Sequence, residues 1–296
     1  MTTLTVDHES ARASESPRSG CASFQQTLAG CVRLFGRGLH GGGESRVIIH
    51  PAEPGMGIVF RDSAQTIPGL VANVVDTSRG TTLGVNGTRI RTVEHIMAAL
   101  RGRGVDNVVV EVFGSEMPAL DGSALPYVEA IEAVGVVSQD APRRTIKLRE
   151  PVVVQQNGSF IAAVPAETLR ITYVLNYDHP LIGAQSTTYE LCEQDFGREI
   201  APARTFVLYE EVAGLLDNDL ARGGSFENAI VVWRDRMSSK LRFPDELVRH
   251  KVMDLVGDLA LVGGLLEAEI VAVKSGHALN VEFAKEVTSQ KSKLYT

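Results

Sequence analysis

ELVRHKVMDLVGDLALVG, residues 246–263, is the longest helical stretch in the chain, and its surroundings decide the fold. Val252, Leu255, Val256, Leu259 and Val262 recur at helical spacing and give it an apolar face. EAEIVAVKSG follows as a strand and HALNVEFAKEV as a closing helix. The first part of the chain has the same succession: TVEHIMAALRG is a helix starting at Thr92, VDNVVVEVF a strand and PYVEAIEAVG a second helix. Short β-branched strands precede each set. They read TLAGCVRLFG, RVIIH, GIVFRD, TIPGLVANVVD, TTLG and TRIRT before the first helix, and TIKLREPVVVQ, SFIAAVP, LRITYVLNY and STTYEL in the second part. This order predicts an α+β fold in two similar halves, although residue identity shows no repeat. The joint falls at APRR, residues 141–144, which gives a first domain over 25–142 and a second over 143–296. Residues 1–24 are rich in Ser, Ala and charge, lack an apolar core, and read as a disordered tail rather than a signal peptide.

A length of 296 residues suits two domains, and 44% hydrophobic with 22% charged residues is the balance of a soluble globular protein. The net charge of −7 argues against nucleic acid as a partner while leaving room for a local basic pocket. Cys21, Cys31 and Cys192 form no C-x-x-C pair and no even framework, which points to a reducing cytoplasm. No stretch approaches the ~18–20 apolar residues of a membrane span. The end at Thr296, shortly after the last helix, is read as leaving no further fused domain.

Three places carry residues suited to chemistry. His250, Asp254 and Asp258 stand at i, i+4 and i+8 and share one helix face, where neighbouring Cβ atoms lie ~5–6 Å apart and two such groups can grip one metal. Taken alone, the spacing fits a solvated His–Asp hydrogen bond better than a metal site. Thr92 can cap its helix, which puts His95 in the first turn, where the helix dipole keeps an imidazole neutral as a metal ligand must be. Glu94 beside it is the residue type that takes a proton from an attacking water, and equally an ordinary first-turn glutamate. His277, in Lys274-Ser275-Gly276-His277, sits between a buried strand and the last helix, a position shared by catalytic groups and exposed helix starts. His8, His50 and His179 read as structural or solvated. His40, in the glycine turn GRGLHGGGES, stands between a turn role and the edge of a site.

These places join others in one order: Gly38-Leu39-His40, Thr92-Val93-Glu94-His95, Asp121-Gly122-Ser123, Ala203-Arg204-Thr205-Phe206, Gly223-Gly224-Ser225-Phe226, Arg249-His250-Lys251-Val252-Met253-Asp254, Gly257-Asp258 and Lys274-Ser275-Gly276-His277-Ala278-Leu279-Asn280. In that order the sequence resembles the UDP-3-O-acyl-N-acetylglucosamine deacetylases, the zinc amidases of lipid A biosynthesis, from about Gln25 to about Val287. The resemblance implies two β-α-α-β domains packed as a sandwich with the helices inside. It implies one catalytic zinc per chain on His95, His250 and Asp254, with one coordination position left open. Glu94 would be the general base, and Thr205 would help the zinc to steady the oxyanion. His277, held cationic by Asp258, would protonate the leaving amine.

Lys251 would reach the polar or diphosphate part of the acylated UDP-sugar, and Tyr177 would stack on the uracil, with Asn176 beside it where the resemblance leads one to expect an acidic residue. An insert near residues 206–226, with Phe206, Leu208, Val212 and Leu215, would form the acyl passage. Arg222 and Tyr209 stand there in place of plainer apolar residues. A monomeric cytoplasmic enzyme is implied. Two rivals remain: an amidase of the same fold acting on another N-acetylated sugar nucleotide, and a sugar-nucleotide-binding protein without activity.

Overall fold

Alternation of apolar and polar residues gives the strands one dry and one wet face. Ser45, Val47 and Ile49 point inward along Glu44–Pro51, and Leu169, Ile171, Tyr173 and Leu175 do so along Leu169–Asn176. The computed structural model describes residues 23–292, so residues 1–22 of the expected tail lie outside the described residues. A first sheet runs in the order Val32–Arg37, Glu44–Pro51, Val108–Phe113, Ile58–Arg61, Thr66–Pro68. Its central strand, Val108–Phe113, is antiparallel to Glu44–Pro51 and parallel to Ile58–Arg61. The second sheet repeats this arrangement: Val152–Gln156, Ser159–Pro165, Leu265–Val273, Leu169–Asn176, Ala184–Glu190. Leu265–Val273 is again antiparallel to one neighbour and parallel to the other, and Thr145–Lys147 pairs with it in addition.

Helices bracket each central strand in sequence. Helix α1 (Glu94–Gly102) precedes Val108–Phe113 and α2 (Leu125–Val134) follows it. Two short helices come next, α3 (Phe196–Glu199) and α4 (Tyr209–Asp217); then α5 (Glu246–Ala260) precedes Leu265–Val273 and α6 (His277–Ser292) follows it. Every residue of α1 is buried, and so is all of α5 except Arg249 and Lys251: the two helices pack on each other, with α2 and α3 also against α1 and with α6 and the second sheet also against α5. Gly257 makes this contact possible: a Cβ there would overlap the Glu94 carbonyl. The fold class is α+β, as the element order predicts.

Three expected strands are interrupted. TLAGCVRLFG breaks at residues 29–31, so Phe24–Leu28 pairs with Val136–Pro142 while Val32–Arg37 joins the first sheet. TIPGLVANVVD becomes Thr66–Pro68, a 3-10 turn at Val71–Asn73, and Val74–Asp76, which begins a small sheet with Thr82–Val85 and Thr88–Ile90. TIKLREPVVVQ splits into Thr145–Lys147 and Val152–Gln156 around Pro151, which has no amide proton for a ladder. The insert is a β-α-β unit that extends past residue 226: Phe206–Leu208 and Ile230–Val232 pair in parallel with α4 between them. At the joint, Arg143 is buried and donates to Asp106 Oδ2 (2.9 Å), Glu193 Oε1 (2.6 Å) and the Gly104 carbonyl. No helix among the described residues is long and apolar enough to cross a membrane.

Candidate active site

The contact between α1 and α5 brings His95 to His250 and Asp254. Their rings meet edge-on at 5.4 Å, and one ligand atom from each of the three residues lies within 4.8 Å of the others. Asp254 Oδ1 is 3.4 Å from His250 Nε2 and 3.8 Å from His95 Nε2. That oxygen is buried and makes no hydrogen bond within the protein, an expensive arrangement for a carboxylate oxygen with two imidazole nitrogens beside it. A cation between the three removes the cost, so the donor set fits a metal. The His250 Nδ1 donates to the Ala203 carbonyl (3.1 Å), which leaves Nε2 free as a ligand. Burial, with His250 alongside, pushes His95 down to about 3, and burial also lowers His250, which favours the neutral form of both rings. Burial works against the charge of Asp254, but His250 and the Lys251 ammonium overcome it and hold the carboxyl below its ordinary range.

Glu94 and His277 face each other beside this cluster, with Glu94 Oε1 3.9 Å from His277 Nε2. The other Glu94 oxygen accepts the Thr81 amide (2.9 Å). Burial pushes Glu94 up to about 7, with help from Asp258 and Asp254 and against the pull of His277. His277 Nδ1 donates to Asp258 Oδ2 (2.8 Å). Burial opposes its charge, but Asp258 and then Glu94 outweigh that and raise it to about 9. The fully buried Asp258 is itself held by the Thr81 hydroxyl (2.6 Å) and the Asn280 amide (2.8 Å).

A cavity of about 450 Å³ opens onto these groups; Glu94, His95, His250, Asp254, Lys251 and His277 line it, together with Thr205, Phe206 and Tyr177. Thr205 is placed by its amide, which donates to Gly122, and by its carbonyl, which accepts from Ile230 (both 2.8 Å). Gly122 has φ +81°, and a Cβ there would overlap the Asn228 carbonyl, so this turn requires glycine. Phe206 packs edge-on against Tyr177 (5.9 Å) and His250 (6.4 Å). Lys251 donates to Asp254 Oδ2 (2.6 Å), so its ammonium is tied to a candidate ligand rather than free in the cavity. Leu215 lines a second cavity, of about 780 Å³, that shares Arg79 and Thr92 with the first; Leu208 and Val212 line neither.

The sequence profile of the family described as UDP-3-O-acyl N-acetylglycosamine deacetylase matches residues 25–289. The chain belongs to this family. A UDP-3-O-acyl-N-acetylglucosamine deacetylase of Myxococcus xanthus is 45% identical over 276 residues, 90% of this chain and 87% of the relative. The one of Chlamydia felis is 43% identical over 90% of this chain and 97% of its own length, and that of Oleidesulfovibrio alaskensis 39% identical over 92% and 90%.

Within this deacetylase fold the structure adds residues that sequence reasoning missed. Thr81 touches both Glu94 and Asp258, and no spacing pattern announces it because it stands 177 residues from Asp258. Asn280 lies inside the Lys274–Asn280 motif, four residues from Gly276, to whose carbonyl its backbone N–H donates; helical periodicity from His277 could have placed it. Thr92 does not cap α1. The cap position is Val93, Thr92 has φ +61°, and its hydroxyl donates to Glu116 instead. His95 still lies in the first turn.

Proposed function

We propose that this chain hydrolyses the acetamide of UDP-3-O-acyl-N-acetylglucosamine, giving UDP-3-O-acyl-glucosamine and acetate, the committed step of lipid A biosynthesis. The observation that carries the reading is the buried, undonated Asp254 Oδ1 facing two imidazole nitrogens, with a carboxylate and an imidazole poised beside it. Zinc held by His95, His250 and Asp254 would supply a Lewis acid for the amide carbonyl and acidify water. Glu94 takes the proton of the attacking water. Thr205 offers a hydroxyl from the cavity wall to the oxygen on which charge develops. His277 Nε2 delivers its proton to the nitrogen as the C–N bond breaks, and Asp258 keeps Nδ1 protonated and the ring oriented.

A base near 7 and an acid near 9 are in their working forms together at neutral to mildly alkaline pH. Lys251, Phe206 and Tyr177 line the cavity that takes the sugar nucleotide, while Leu215 belongs to the acyl side. The site lies between a first domain of residues 25–142 and a second of 143–296. The test is turnover of the acylated substrate after zinc is stripped by a chelator and then restored. Loss followed by recovery is expected, with acyl-free UDP-N-acetylglucosamine turned over far more slowly. Comparable rates on the two substrates would overturn the reading.

A further inference from the structure

The glycine turn around His40 and the strained Thr92 meet at one buried carboxylate that the chemistry above does not use. Glu116 is 4% exposed. Its Oε1 accepts from the His40 amide (2.8 Å) and the Thr92 hydroxyl (2.9 Å), and its Oε2 accepts from the Gly41 amide (2.7 Å). Gly38 clears the space, since a Cβ there would overlap the carboxylate. Thr92 has φ +61°, a conformation that β-branched residues avoid and that persists only where surroundings enforce it. The chain turns there from strand Thr88–Ile90 into α1, whose first two residues are Glu94 and His95.

The clamped turn reaches further. His40 Nε2 donates to the Arg79 carbonyl (3.2 Å), and the Arg222 and Gly223 amides donate to the His40 and Leu39 carbonyls (both 3.0 Å). Arg79 and Leu39 both line the site cavity. Three donors converge on Glu116, and a carboxylate, being an acceptor only, satisfies all three. A glutamine would turn its own NH2 toward at least one N–H.

We propose that Glu116 is a positioning residue: it clamps Thr92 in its left-handed conformation and so sets Glu94 and His95 against His250 and Asp254. The role rests on Glu94 and His95 being base and ligand, as argued above. It is tested with full-length wild type, Glu116→Gln, Thr92→Val, Thr92→Ser and the Glu116→Gln/Thr92→Val double variant. The readouts are zinc affinity of the metal-free protein by chelator competition, kcat and KM on the acylated substrate, and the melting temperature. Thr92→Val, which keeps the shape and loses the hydroxyl, should bind zinc at least about tenfold more weakly and lose at least about tenfold in kcat, the cost seen when groups that orient a metal site are removed. KM should change much less than kcat. Glu116→Gln should match it, Thr92→Ser should restore both values, and the double variant should be no worse than the poorer single because both cut one linkage.

If Thr92→Val and Glu116→Gln keep wild-type zinc affinity and kcat, the role is refuted, even when their melting temperatures fall. Should Glu116→Gln not fold, Thr92→Val against Thr92→Ser decides. A wild type that neither binds zinc nor deacetylates overturns the functional reading, and this role with it. A competent wild type beside indifferent variants overturns this role alone.

Discussion

His277 owes its proton to its neighbours, because burial alone would strip it. Asp258 is the larger of the two supports, so Asp258→Asn should move the ring's titration toward lower pH. With Glu94 as base and His277 as acid, as proposed, activity should rise as pH passes the Glu94 value and fall as pH passes the His277 value. The metal-free values are about 7 and about 9, and a cation on the adjacent cluster favours the Glu94 carboxylate, so the acid limb of the zinc form lies at or below the first. In Asp258→Asn the alkaline limb of the kcat profile should shift to lower pH; an unmoved limb would show that Asp258 does not support the acid. His277→Ala should retain zinc by metal analysis and lose on the order of 10²–10⁴ in turnover, the usual worth of a positioned acid. Asp254→Ala should lose the zinc itself. Near-normal turnover in His277→Ala would remove that residue from the acid's role.

At the scale of elements, the site is a crossing of α1 and α5, where Gly257 leaves no room for a Cβ beside the Glu94 carbonyl. Gly257→Ala must drive the helices apart or strain both. An overpacking cost of about 1–3 kcal/mol in denaturant unfolding is expected, together with weaker zinc binding, because the shift falls between His95 and its two partners. Unchanged stability and affinity would show that the crossing is looser than the structure has it. On α4, Leu215 lines the second cavity and Val212 does not. Leu215→Trp should therefore slow long-acyl substrates more than short ones, whereas Val212→Ala should leave their ratio unchanged; competition between two acyl lengths measures it.

The polar stripe of α5 was legible in the sequence, since His250, Asp254 and Asp258 interrupt an apolar helix at its own period. The start of α1 was not, because a threonine before a helix signals a cap, and only the tertiary position of Glu116 diverts its hydroxyl. Strand breaks at residues 29–31 and 69–70 were equally hidden, since runs such as TIPGLVANVVD keep strand-like composition while the chain changes sheets. Thr81 reached the site through pairing that no local pattern encodes.

For the whole molecule, two sheets of the same strand order and sense each contribute one buried helix, and the candidate ligands are divided between those helices. His95 comes from α1, and His250 and Asp254 from α5, so a cation bound there links the two sheet-and-helix units. A protein-only link already exists at Arg143, whose guanidinium joins Asp106 of one to Glu193 of the other. Arg143→Met would leave those two acids without their buried partner and should cost about 3–5 kcal/mol in unfolding, with or without zinc. The cation's contribution differs because it follows mass action: a ligand bound only by the folded state adds about 4 kcal/mol at a thousandfold excess over its dissociation constant. Wild type and Arg143→Met should therefore gain the same zinc-dependent increment from different baselines. Asp254→Ala should gain none, since His95 and His250 alone lack the third ligand. Thermal melts of the three proteins across a zinc titration measure this. A zinc increment in Asp254→Ala equal to that of wild type would mean that the stabilising ion sits elsewhere and that α1 and α5 are joined by packing alone.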